Sequence, residues 1–404
     1  MRHRRRFYHR LRLRGQIPVS LSGHTTVLNG GKPVRPYSSP LRAEAALTSR
    51  CNLRCRYCHF FGSAGEKKRE LDTAEWLGIF DELGAMKVME LTLTGGEVLL
   101  REDLPELIAG IRRNNMRFLL LSNGFAFEEH HAAMLKESGR CVYVQISIDG
   151  PEAANDLARG SGTYARAVRA MKLVLRYGIP LTVRMTVGRH NFRLLPETAR
   201  LMIEENSVRA LTCNPAFHFT GKEDESDLPW IMSRREFLTA LSDALATARN
   251  HPERFSLRGT MFGRAAAQWS HLRRCRRENR PPAAPSPCAS NCLAQLEKLY
   301  IGADGSVTPC NHLPDAVIGQ AGRDRLADLW ENAPILRQMR APGEALLQEF
   351  PLCRGCGYAP WCVPTARCLN SGGRASFVCL KLHEEEAPDF DFEEMKWKQN
   401  AVLK

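Results

Sequence analysis

Three cysteines fall within eight residues, Cys51-Asn-Leu-Arg-Cys55-Arg-Tyr57-Cys58. Three thiolates in one loop can hold three irons of a cubane cluster and leave the fourth iron without a protein ligand. An open coordination position marks a centre that does chemistry, as it does at catalytic zinc. A zinc knuckle is the competing reading of the same residues. Further on come Thr94-Gly95-Gly96-Glu97, then Ser122-Asn123-Gly124, then Gln145-Ile146-Ser147-Ile148-Asp149-Gly150, each at the end of an apolar run. A glycine pair lets a backbone approach a ligand closely and tolerates positive φ. Taken alone, Gly95-Gly96 also reads as an ordinary strand-to-helix turn.

The chain has fourteen cysteines, and seven of them lie between Cys292 and Cys379. In a reducing compartment such spacings point to metal and not to disulfides. The later group runs Cys292, Gly305, Cys310, Cys353-x-x-Cys356, Cys362, Cys368 and Cys379, with Cys288 just ahead of it. Cys141, Cys213 and Cys275 stand apart and are read as ordinary thiols.

The elements that must position these residues follow from periodicity. Strands are predicted at Ala43–Leu47, Val88–Leu93, Phe118–Leu121, Val142–Ile148, Leu181–Val187 and Ala210–Cys213. Helices alternate with them near Thr73–Leu83, Leu104–Arg113, Glu128–Glu137, Tyr164–Tyr177, Leu194–Glu205 and Arg235–Ala248. That alternation argues for βαβ units and a parallel sheet in an α/β fold. Six units fall short of a closed eightfold barrel, so an open, partial (β/α)6 barrel is expected, with its chemistry at the strand C-termini. All four motifs then converge on one rim.

The organisation expected is a basic N-terminal extension at 1–40, the partial barrel at 41–250 and a bridging segment at 251–287 that ends in a Pro-rich linker. A small Cys-rich domain held by metal follows at 288–382, and an acidic tail at 383–404. The net charge of +13 is concentrated, with seven arginines between Arg2 and Arg14 and a second cluster from Arg273 to Arg280. Basic arms can grip an anionic peptide, RNA or a membrane surface. The plainer reading is a solvated extension, and nucleic acid is not an expected partner. No apolar run reaches 18 residues and no secretory signal is present, so no membrane partner is expected and a cytoplasmic location is.

With the C-x-x-x-C-x-aromatic-C form after the first strand and three further elements in order, the chain resembles the radical S-adenosylmethionine superfamily. The resemblance implies that Cys51, Cys55 and Cys58 hold a catalytic 4Fe–4S cluster, with Tyr57 as the aromatic of the motif. It implies that Gly95, Gly96 and Glu97 bind the methionine ammonium of S-adenosylmethionine. Ser122 and Asn123 would lie by the ribose and sulfonium, and Ser147 and Arg159 would hold the methionine carboxylate. The C-terminal part resembles the SPASM domain, whose seven cysteines bind two auxiliary 4Fe–4S clusters. Carried over, Cys292, Cys310 and Cys368 would serve the nearer cluster, and Cys353, Cys356, Cys362 and Cys379 the farther. Five residues separate Cys362 from Cys368 where relatives have three. Cys288 is the candidate fourth ligand of the nearer cluster, which would otherwise keep an open iron able to bind substrate.

The resemblance implies reductive cleavage of S-adenosylmethionine to a 5′-deoxyadenosyl radical that abstracts a substrate hydrogen. The electron would come from a reductant such as ferredoxin or flavodoxin. Most SPASM-bearing relatives modify peptides, so oxidative cross-linking of a ribosomally made peptide is the expected activity. Sulfatase-type maturation is disfavoured, because that group carries an aspartate base where this chain has Asn311. Oxidation of a tetrapyrrole-like anion is the alternative, with arginines as counter-ions. A full leader-peptide-binding domain does not fit before Leu41. Leader recognition therefore falls to the short extension, the sheet edge or a separate leader-binding protein. His218 and His312 are read as surface or packing residues that have the chemistry of a base.

Overall fold

The structure is a computed structural model. It describes residues 37–58, 69–216, 229–257, 259–279, 294–340, 353–359, 361–362 and 379–398. The Arg-rich extension, the Pro-rich stretch from 280, His218, Cys288, Cys292 and Cys368 lie outside the described residues. Six parallel strands follow in spatial order: β1 (Arg42–Thr48), β2 (Glu90–Gly95), β3 (Arg117–Ser122), β4 (Cys141–Ser147), β5 (Leu181–Val187) and β6 (Ala210–Pro215). All six expected strands are present, displaced by no more than two residues at any end. Along β5, Leu181, Val183, Met185 and Val187 are buried in the core shared with the helices, while Thr182, Arg184 and Thr186 take the other face. That period of two is what a sheet with helices on only one side requires.

Helices α1 (Thr73–Ala85), α2 (Leu104–Arg113), α3 (Glu129–Glu137), α4 (Glu152–Arg159) and α5 (Thr163–Arg176) cross between the strands. After β5 come α6 (Leu195–Arg200), continued by a π-turn, and α7 (Arg234–Asn250). The starts are fixed locally. Asp72 accepts from the Glu75 N–H at 2.9 Å and Glu75 accepts from the Asp72 N–H at 2.8 Å, a reciprocal cap repeated by Ser233 and Glu236.

The sheet is longer than the six repeats suggest. A two-residue strand β7 (Phe255–Ser256) extends it beyond β6. At the other edge β8 (Lys298–Ile301), from the Cys-rich part, pairs in parallel with β1, and β9 (Ser306–Thr308) and β10 (Gly319–Gln320) follow antiparallel. One ten-stranded sheet therefore runs through both parts of the chain. β8 and β9 form a hairpin before Cys310, and a short helix, α9 (Leu326–Asn332), follows it.

Two segments are more ordered than their composition implies. The bridge contains α8 (Met261–Glu278), which buries Phe262, Ala265, Ala266, Trp269 and Leu272 at helical spacing. The acidic tail is anchored. Helix α10 (Leu380–Glu386) and the hairpin of β11 (Phe390–Asp391) and β12 (Lys396–Trp397) pack His383 and Phe392 on Trp269, at ring separations of 4.8 and 5.6 Å. Arg273 bridges to Glu384 and Glu393 above them. Acidic surface and aromatic underside share one segment, and composition reports only the first. Among the described residues, no helix is long and apolar enough to cross a membrane.

Trp269 is fully buried, so truncating it leaves a cavity under the tail. Trp269→Ala should lower stability by about 3–5 kcal/mol in chemical denaturation and release the tail to proteolysis.

Candidate functional site

The C-terminal end of β1 carries a register shift between Ala46 and Thr48, and the chain then leaves the sheet as the cysteine loop. What holds that loop down is backbone. The Gly96 N–H donates to the Thr48 carbonyl at 2.7 Å, and the Glu97 N–H to the Arg50 carbonyl at 2.8 Å. Gly95 has φ of +132°, and a Cβ there would stand 2.2 Å from the Thr48 oxygen. A Cβ on Gly96 would stand 2.1 Å from the Arg50 oxygen. The close approach inferred from the glycine pair is thus an approach to the cysteine loop itself. From the other side, Glu70 accepts from Thr48 Oγ1 at 2.9 Å and from the Ser49 N–H at 2.7 Å. Burial opposes its charge, yet the Ser49 and Thr48 hydrogen bonds and Arg50 hold its carboxyl below the usual range.

Cys51, Cys55 and Cys58 are all half-buried on this loop. Cys51 Sγ accepts from the Leu53 N–H at 3.4 Å and lies 3.7 Å from Asn123 Nδ2. Burial pushes the Cys51 thiol up, with Glu97 and Cys58 adding to it against hydrogen bonds from Leu53 and Asn123. Burial pushes Cys55 up to about 11; Arg159 opposes this, while Asp149, Cys58 and Cys51 reinforce it. Cys51 and Cys55 resist ionising beside each other and beside Cys58, which favours a bound cation that turns thiolate repulsion into attraction. The donor set therefore fits an iron cluster.

The next two rim elements bind each other. Glu97 is buried and accepts from Ser122 Oγ at 2.9 Å, the Asn123 N–H at 2.8 Å and the Leu99 N–H at 3.2 Å. Burial pushes its carboxyl up to about 7 against those three bonds. Asn123 Nδ2 donates to Asn52 Oδ1 at 2.9 Å, which ties the β3 rim to the cysteine loop.

The fourth element holds a group that sequence reading passed over. Asp149 is fully buried and accepts from Arg159 Nε at 2.6 Å, from the Tyr57 hydroxyl and from the Thr186 N–H at 2.8 Å. The Arg159 guanidinium lies 5.7 Å over the Tyr57 ring, and the Arg56 N–H donates to the Ala158 carbonyl at 3.0 Å. Arg159, expected beside Ser147 on a ligand carboxylate, thus has a protein carboxylate as partner. Burial works against its charge and Asp149 outweighs burial, so the cation is held more firmly. His190, three residues past β5, stacks on Tyr57 at 6.3 Å and meets Trp230 edge-on at 4.8 Å. Neither ring nitrogen finds a hydrogen-bond partner among the described residues, and burial pulls its pKa down. Its place just past a strand C-terminus was the available signal.

Of the later cysteines, Cys353, Cys356, Cys362 and Cys379 come together. Burial pushes Cys362 up to about 12, reinforced by Cys379, Cys353 and Cys356. Cys310 is buried just past β9 with its Sγ 3.3 Å from Asn311 Oδ1. His312 follows it, its N–H 3.5 Å from the Cys310 sulfur. Cys141 and Cys213 lie outside these groups, each raised by burial, and Cys275 meets His271 at 3.6 Å.

Comparison with known proteins agrees with this layout. The model of the radical SAM superfamily matches residues 46–202, and that of the SPASM iron–sulfur cluster-binding domain matches residues 292–357. The PqqA peptide cyclase of Xanthomonas campestris pv. campestris (strain B100) is 30% identical over 325 residues, 78% of this chain and 79% of that protein. The PqqA peptide cyclase of Gluconobacter oxydans (strain 621H) is 27% identical over 324 residues, 79% and 83% of the two chains. Among solved structures, Streptococcus suis SuiB bound to precursor peptide SuiA superposes with a TM-score of 0.65 at 16% identity, over 85% of this chain and 77% of that one. Native anSMEcpe with bound AdoMet gives a TM-score of 0.64 at 17% identity, over 86% and 96%. Kinship of that extent makes the assignment plain: the chain belongs to the radical SAM superfamily. Within it, this is an enzyme with a C-terminal SPASM domain, and its cofactors are S-adenosylmethionine and 4Fe–4S clusters.

A methyl at Gly96 must displace residues 49–50 and with them the first cysteine. Gly96→Ala should cost about four irons per reconstituted chain, the content of one cubane, while the remaining iron is retained. Iron and sulfide analysis measures this directly.

Proposed function

We propose that this enzyme oxidatively modifies a peptide, with Cys51, Cys55 and Cys58 holding the catalytic cluster. One observation carries the assignment of the centre: three mutually repelling thiols sit on one rim with Asn123 and the buried carboxylate of Glu97. When bound, the reduced cluster and S-adenosylmethionine supply a 5′-deoxyadenosyl radical that abstracts hydrogen from the substrate. The chain's own residues bind, orient and exclude water. Glu97, near neutrality in its ionisation, receives the methionine ammonium beside Gly95 and Gly96. Ser122 and Asn123 face the ribose, and Ser147 the methionine carboxylate. Tyr57, Asp149 and Arg159 keep the cysteine loop on the barrel. The peptide substrate is supported by relatives named as peptide cyclases and by the fold shared with SuiB, which was crystallised with its precursor peptide.

In the SPASM domain, Cys353, Cys356, Cys362 and Cys379 hold one auxiliary cluster. Cys310 joins Cys292, Cys368 and Cys288 at the other. The electron is supplied by a ferredoxin- or flavodoxin-type reductant in the cytoplasm, and a separate protein presents the peptide's leader.

Anaerobic reconstitution with iron and sulfide tests the centre. About twelve irons per chain are expected, falling to about eight with loss of 5′-deoxyadenosine in the triple variant Cys51→Ala/Cys55→Ala/Cys58→Ala. Zinc in place of iron would sink the assignment. Oxidation of a non-peptide anion in place of any peptide would sink the substrate reading.

Glu97 also gives a pH signature. Its folded pKa lies near 7 and above the ordinary carboxylate value, so ionising it costs stability as pH rises through about 7. Binding a cationic ammonium rewards that ionised form. Affinity for S-adenosylmethionine should therefore rise with pH through about 7. Glu97→Gln should lower affinity about tenfold or more, the worth of a charged hydrogen bond, and flatten the profile in equilibrium dialysis.

A further inference from the structure

The strands of the ten-stranded sheet contain six charged side chains: Arg42, Glu44, Glu90, Arg117, Arg184 and Lys298. Strands buried on a helical face seldom carry charge, and these six take the inner face of the partial barrel. Five are matched. Arg42 pairs with Glu297, Lys298 with Glu44 at 2.8 Å, and Arg117 with Glu90 at 3.9 Å. Arg184 has no ion pair or hydrogen bond from its guanidinium among the described residues. Its nearest charged and titratable company is Cys213, Glu44 and Tyr143, and Glu44 is already taken by Lys298. Burial pulls the Arg184 pKa down, so the cation is held where it lacks both full solvation and a counter-ion.

Such a guanidinium is costly unless something neutralises it, and its planar fork matches a carboxylate. Its place is informative. Arg184 is the register partner of Ser147 on the neighbouring strand, and the Ile148 N–H donates to its carbonyl at 3.1 Å. It therefore stands on the inner face, level with Ser147, the last residue of β4. We propose that Arg184 is the receptor for a carboxylate of the substrate: resting on the peptide reading above, the side chain of an Asp or Glu held inside the barrel. A free dicarboxylate or a tetrapyrrole carboxylate would offer the same chemistry from another source.

The test uses reconstituted, S-adenosylmethionine-loaded enzyme and three probes: blocked Gly-Glu-Gly, blocked Gly-Gln-Gly and glutarate. Microcalorimetry on the wild type should show the acidic tripeptide binding at least tenfold more tightly than its amide. Arg184→Gln should erase that preference with iron content and S-adenosylmethionine affinity unchanged, and Arg184→Lys should keep part of it. Absence of both acidic preference and glutarate binding in the wild type overturns the proposal even if Arg184→Gln fails to take up iron. So does a preference that survives Arg184→Gln, or a parallel loss of S-adenosylmethionine affinity, which would put the methionine carboxylate on this residue. Arg184-dependent binding of glutarate with neither tripeptide bound supports the carboxylate receptor and counts against the peptide reading. Peptide turnover without acidic preference does the reverse.

Discussion

Contact between two pieces of backbone governs this site. Residues 48–50 lie against Gly95 and Gly96 so closely that no side-chain atom fits between them, and the two hydrogen bonds that result continue the β1–β2 ladder past its register shift. Everything else at the rim takes its place from that seat. Cys51 begins where the seated segment ends, and Glu97 follows the second glycine, so the carboxylate and the first thiol are brought together by backbone before any side chain contributes. Glycine at both positions is a packing requirement as much as a conformational one. The β-carbon is excluded by the neighbouring strand, and at Gly95 the positive φ excludes it again.

Asp149 does for the far end of the cysteine loop what the glycines do for its start. A carboxylate with no solvent exposure is sustained by one guanidinium, one phenol and one backbone amide. Removing one partner of such a buried pair typically costs about 3–5 kcal/mol, because the other charge is stranded. Tyr57 enters this arrangement through its hydroxyl while its ring lies beneath Arg159 and beside His190. An aromatic with a polar end at this position links the loop to β4, α4 and the end of β5 at once. The loop that carries the three cysteines is thus pinned at both ends.

Much of this was legible in the sequence, and the failures have a common physical cause. Apolar periodicity located β1 to β6 and the helices between them, because that signal is local. The parallel pairing of β8 with β1 joins residues more than 250 positions apart, and no local pattern encodes it. The tail reads as acidic because Glu384, Glu385 and Glu386 are adjacent in sequence, whereas His383 and Phe392 find Trp269 only in space. Asp149 sits inside a motif read for its serine, and its importance comes from Arg159 and Tyr57, which approach from separate elements. The cysteine groupings were visible because their members lie close together in sequence. The odd charge at Arg184 was not, since being unpaired is a statement about all of its neighbours.

The pairing of β8 with β1 also constrains how the two iron-binding parts communicate. β1 leads into the cysteine loop and β8 leads into the hairpin before Cys310, and the two strands run parallel, so both loops emerge on the same rim. The connection is tightened by Leu71, whose N–H donates to the Ala303 carbonyl at 2.8 Å, while the preceding Glu70 holds Ser49 and Thr48. One dipeptide therefore touches the hairpin of the SPASM domain and the root of the catalytic loop. Lys298 on Glu44 and Arg42 on Glu297 fasten the same two strands from the inner face. Sharing a sheet fixes the register of the two parts, because a shift of β8 along β1 would break a ladder of backbone hydrogen bonds and strand two ion pairs together. The inner-face charges serve the same end, fixing the spacing of the two parts while leaving Arg184 without an ion pair among the described residues.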